Sequence, residues 1–61
     1  MNLINGVIAE IRYEKGQRVG KVRVGGAMKS ISLDLLADPA LGDKVLVCEG
    51  VALGKVEDPD T

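Results

Sequence analysis

Between turn residues the chain alternates apolar and polar positions with a period of two, the mark of strands that bury one face. After Asn5-Gly6, the run Val7 to Tyr13 sets Val7, Ala9, Ile11 and Tyr13 on one face and Ile8, Glu10 and Arg12 on the other. Glu14-Lys15-Gly16-Gln17 then forms a polar turn. Val19 to Val24 is a second strand, with Gly20, Val22 and Val24 inward and Lys21 and Arg23 outward. Gly25-Gly26 reverses the chain, because paired glycines reach the positive-φ conformations a tight turn needs. Ala27 to Leu33 follows as a third strand, with Ile31 and Leu33 buried and Ser30 and Ser32 exposed.

The period changes between Asp34 and Leu41. Asp34 can cap a single helical turn through Leu35-Leu36-Ala37, which Asp38-Pro39 ends, since proline disfavours the α conformation in the residue before it. Lys44-Val45-Leu46-Val47-Cys48 is apolar on both faces and reads as a central strand. Glu49-Gly50 reverses it into Val51 to Val56. The polar end, residues 57–61, is expected to fray. Five short strands with one short helical turn predict an all-β fold, a small, partly open five-stranded barrel of the OB type. One domain over residues 1–61 accounts for the whole chain, because a sequence of this length has no room for a second.

Composition narrows the chemistry. The 61 residues contain no His, Trp or Phe, one Tyr and one Cys. Without imidazole, neither a Ser/His/Asp nor a Cys/His catalytic arrangement can be built from this chain, and an enzyme is not expected. One thiol is too few for a zinc framework or an intrachain disulfide. No cofactor or metal site is therefore predicted. The apolar runs are short, so no membrane span is expected and the cytoplasm is the default location.

Charge is unevenly laid out along a chain of net charge −1. Residues 1–31 carry six cations against two acids, and residues 32–61 carry two against seven. Strand pairing can interleave these halves, and solvated faces explain most of the charge. A basic stretch over residues 12–29 invites a nucleic-acid reading. Base stacking needs aromatic platforms, however, and Tyr13 stands alone in a chain of sequence pI near 5.2. Nucleic acid is accordingly not the expected partner. Gly16 and Gly25-Gly26 fit hairpin turns rather than a phosphate loop. Asp34, Asp38 and Asp43 match no calcium loop and fit turn and cap duties. Cys48 reads as a small buried hydrophobe, next to Glu49 and without a cation in sequence to lower its pKa.

Several strings together carry a family resemblance. Gly6-Val7-Ile8-Ala9-Glu10-Ile11 stands near the start, and Gly26 and Ser32-Leu33-Asp34-Leu35 stand in the middle. Leu41-Gly42-Asp43-Lys44-Val45-Leu46-Val47 follows, then Gly50-Val51-Ala52-Leu53. In this order and spacing they resemble the hydrogenase assembly chaperone family HypC/HupF over nearly the whole chain. The resemblance implies an OB-type barrel that helps build the iron centre of nickel–iron hydrogenases, with a cysteine in second place carrying the iron. Here Asn2 holds that cysteine's place and Asn5 that of a following proline. A neutral amide oxygen is no substitute for a soft thiolate. Cys48 occupies the place of a histidine that family members often show. Many relatives also continue into a carboxyl-terminal helix beyond the position of Thr61.

The expected function is thus a non-catalytic accessory chaperone that binds a hydrogenase large subunit or maturation protein without carrying iron. Asn2, Leu3, Ile4, Asn5 and Cys48 are the candidate partner-binding residues. The alternative is a structural or oligomer-forming barrel in another assembly, since open strand edges readily pair with copies or partners.

Overall fold

A computed structural model describes residues 3–56. It contains five strands: β1 (Ile4–Glu14), β2 (Gln17–Val24), β3 (Ala27–Ser32), β4 (Lys44–Cys48) and β5 (Val51–Lys55). They close into a barrel in the order β1-β2-β3-β5-β4, which is the five-stranded Greek-key order of the OB fold. The tail expected to fray, residues 57–61, lies outside the described residues, as does Asn2.

Turn chemistry sets the hairpins. Lys15 and Gly16 have φ of 51° and 78°, and Glu49 and Gly50 have 51° and 84°. Two successive positive-φ residues match the right-handed twist of the strands they join, so both hairpins turn in two residues. The third reversal sits at Gly25-Gly26, where Gly25 has φ of 61°.

The first strand departs from a single alternation. It pairs with β4 through Ile4 to Val7 and with β2 through Val7 to Glu14. Between Ile8↔Val22 and Glu10↔Lys21 the register shifts, leaving Ala9 as an extra residue. Before this bulge the even positions Gly6 and Ile8 face the core, and after it Ile11 does. The expectation that Val7, Ala9, Ile11 and Tyr13 share one face opposite Ile8 is therefore corrected: Ile8 is buried and Ile11 packs on the same core, while Val7 and Ala9 are exposed. Tyr13, set on the same face by its spacing, is 75% exposed, one rung from the Glu14↔Gln17 end of the hairpin and outside the core. A one-residue insertion reverses the phase of every later side chain. That is why an unbroken period of two misassigned the first half of the strand.

The core consists of Ile8, Val22, Ile31, Leu33, Leu36, Val45, Val47 and Ala52, with Ile11 and Val24 packed against it. All are aliphatic, so packing rests on close approach rather than on aromatic bulk. Gly20 shows this: a Cβ there would stand 2.5 Å from Leu33 Cδ1 and 2.8 Å from the Glu10 carbonyl oxygen.

The expected helical turn over Leu35–Ala37 is instead a reverse turn, in which the Leu36 N–H donates to the Leu33 carbonyl at 3.1 Å. Arg18 fixes it from β2. Its backbone N–H donates to Asp34 Oδ1 at 2.8 Å, and its Nη1 to the Leu36 carbonyl at 2.8 Å. Asp34 thus serves a neighbouring strand rather than a helix start. The barrel expected to be partly open is closed, but β3 meets β5 in one parallel pair, Ser32↔Val51. A hydrogen bond from the Ser32 N–H to the Gly50 carbonyl, at 2.9 Å, reinforces that seam.

Candidate functional site

The β1–β4 ladder brings together residues from opposite ends of the sequence. Ile4 pairs with Val47 and Asn5 with Leu46, so Cys48 lies one residue beyond the rung made by Ile4. Far from the amino-terminal segment in sequence, Cys48 is brought next to it by this register. Leu3 and Ile4 are 55% and 37% exposed, and Asn5 is exposed. Cys48 is buried, with a free thiol.

Ile4 also opens onto a groove of about 470 Å³. Ile31 and Val47 line it with Ile4, and Lys29, Ser30, Glu49 and Gly50 complete the wall. Sequence reasoning did not single out Lys29, Ser30, Glu49 or Gly50. Lys29 carried a legible signal, since it shares the inward phase of β3 with Ile31 and Leu33. A lysine on the apolar side of a strand marks the place where the core gives way to solvent.

The iron cargo that the resemblance implies would need ligands from this end of the barrel. Soft thiolate donors are what such a centre selects, and the sole cysteine is buried without a second donor of its kind. Among the described residues no group of three or more His, Cys, Asp and Glu is placed to hold a metal ion. The three aspartates considered from sequence have other uses. Asp34 holds the Arg18 N–H, and Asp43 Oδ2 accepts from the Ala40 N–H at 2.9 Å and lies 3.1 Å from Lys55 Nζ. The hydrogen bond from Lys55, followed by that from Ala40, holds the Asp43 carboxyl below the usual carboxylate range. Lys55 Nζ also donates to the Asp38 carbonyl, so the 38–43 turn is tied to β5.

A second, smaller depression of about 280 Å³ lies among Asn5, Gly6, Val7, Arg23, Gly25 and Lys44. Val7 pairs with Arg23 on one side and Lys44 on the other, so an apolar side chain sits between two cations. The Arg18 guanidinium carbon stands over one face of the exposed Tyr13 ring, 5.8 Å from its centroid. No helix among the described residues is long and apolar enough to cross a membrane.

Comparison with known proteins bears on the family of the chain. The chain is 49% identical over 38 residues to the hydrogenase maturation factor HypC of Cupriavidus necator. That match takes in 62% of this chain and 42% of the relative, so it spans less than half of the relative's length. No solved structure matches the chain. The HupF/HypC family matches over residues 4–60, from the first residue of β1 to beyond the end of β5, and the chain belongs to that family.

Proposed function

We propose that this protein serves hydrogenase maturation as a non-catalytic accessory chaperone, binding a hydrogenase large subunit or a maturation protein without carrying iron itself. Family membership and the relative's name as a maturation factor support the setting. The donor set supports the absence of an iron-carrying role. Asn2 stands where the resemblance puts a thiolate, and the nearest sulfur on the neighbouring strand, Cys48, is buried.

Partner binding then falls to the exposed start of β1. Leu3 is exposed, Ile4 and Asn5 are exposed members of the β1–β4 ladder, Ile4 lines the groove, and Asn2 precedes them in sequence. The β1–β4 ladder holds Ile4 and Asn5 in place, so these two residues are presented in one orientation, which lowers the ordering cost of association.

Capture of purified hydrogenase large subunit and maturation proteins by the tagged chain tests this reading. The intact chain should retain one of them, and Leu3→Asp, an exposed change that leaves the strand pairs intact, should lose it. Equal retention by both forms, or none by the intact chain, contradicts the reading.

A further inference from the structure

The β3 edge that faces the groove is largely unpaired. Along a strand, alternate residues aim their N–H and C=O to opposite sides. The Leu33 N–H bonds to Arg18 of β2, and the Ser32 N–H bonds to Gly50 across the seam. By the same alternation Ile31 and Lys29 face β2, while Ser30 and Met28 turn their backbone groups toward the groove. Among the described residues, β3 meets β5 at Ser32↔Val51 and β2 over Ala27 to Ser32. The N–H and C=O of Met28 and Ser30 therefore have no strand beside them there. An edge of this kind is a template for another extended chain.

We propose that the Ala27–Ile31 edge of β3 takes up an extended segment of a partner protein as an additional strand, with an acidic side chain beside Lys29 and an apolar one beside Ile31. The open backbone groups specify an extended peptide, and the groove specifies its side chains. Ile4, Ile31 and Val47 give the groove an apolar lining, and Lys29, two residues before Ile31 on β3, gives it positive charge. Lys29 forms no ion pair among the described residues: the cations in such pairs are Arg12 and Lys55. Glu49 also lines the groove, next to Gly50, whose carbonyl accepts from the Ser32 N–H one residue beyond Ile31. It disfavours an acid near Ile31 and so favours one register of the incoming segment.

A second copy of the chain is the poorer occupant. The antiparallel register that uses both open residues would pair Met28 with Ser30 of the copy, and this stacks Lys29 on Lys29. Directly opposed like charges destabilise a ladder, and an edge lysine is a common device against self-pairing. The inference rests on the β3 edge alone, so it stands or falls separately from the maturation reading.

The test uses two capped peptides, Thr-Val-Thr-Glu-Thr-Val-Thr and the same sequence with Lys at its centre. Both are palindromic, so either strand direction puts the central charge beside Lys29 and a valine beside Ile31. Titration into the full chain is followed by amide shifts and hydrogen exchange. The Glu peptide should bind saturably, shift the residues of the groove and slow exchange of the Met28 and Ser30 amides. Lys29→Glu should weaken the Glu peptide roughly fivefold and favour the Lys peptide by a similar factor, and Lys29→Ala should bind the two alike. Unchanged exchange at Met28 and Ser30, or a preference indifferent to Lys29, overturns the proposal. So does protection of those amides in the chain alone: if independent of concentration it shows a segment of the same chain on the edge, and if rising with concentration it shows a second copy.

Discussion

The Arg18 guanidinium donates to the Leu36 carbonyl at 2.8 Å, joining β2 to the turn that follows β3. The same residue's backbone N–H reaches Asp34, and its carbonyl accepts from the Leu33 N–H. Three bonds from one residue thus hold the turn that seats Leu33 and Leu36 in the core. Its Nε is buried with no partner among the described residues, which offsets part of that gain.

Arg18→Ala removes the side-chain bond and leaves the two backbone bonds in place. Loss of a part-buried bond from a charged donor should lower stability by about 1–3 kcal/mol in urea unfolding. Arg18→Lys should lose less, because it retains a cation and removes the unpartnered Nε. Equal stability of wild type and Arg18→Ala would show that the turn holds itself.

Gly20 is a site of close approach on β2. Gly20→Ala forces Leu33 and the Glu10 carbonyl apart and should cost about 1–3 kcal/mol, as overpacking does. Gly54→Ala is the control. A Cβ at Gly54 meets nothing within 4 Å, and its φ is not positive, so unfolding should show no loss of stability and a gain of up to about 1 kcal/mol.

Asp43 predicts an acid-side pH dependence. Its carboxyl is held below its ordinary value, first by the hydrogen bond from Lys55 and then by that from Ala40. The folded-state pKa is therefore lower than the unfolded one. The associated stability is fully present above the unfolded value of about 3.9 and is lost as pH falls through the lower folded value. Asp43→Asn should flatten this part of the stability–pH curve, measured by thermal unfolding between pH 2 and 6. An unchanged acid limb in Asp43→Asn would place its origin in other carboxyls.

Much of this was legible in the sequence because hairpin chemistry and aliphatic alternation agree from β2 onward. Gly20 and Val22 are inward, Ile31 and Leu33 are buried, and Glu49-Gly50 turns where its composition says it should. The failure over Val7–Ala9 has one cause: the bulge at Ala9 lets β1 change partners from β4 to β2, and no local propensity marks it. Leu35–Ala37 misled for a different reason. A capping aspartate and leucines favour a helical turn, but Arg18, sixteen positions upstream of Asp34, claims that carboxylate. The meeting of Ile4 with Val47 beside Cys48 is likewise a property of strand register, which long-range pairing sets.

The claim that this family member binds partners without carrying iron rests on donor chemistry, and infrared spectroscopy reads that chemistry directly. The full chain would be isolated anaerobically from cells assembling a nickel–iron hydrogenase, both free and after removal of any bound partner. The account predicts no cyanide or carbon monoxide stretching bands and no iron retained by the chain. Such bands persisting on the separated chain, and lost in Cys48→Ser, would contradict it and make that cysteine the carrier.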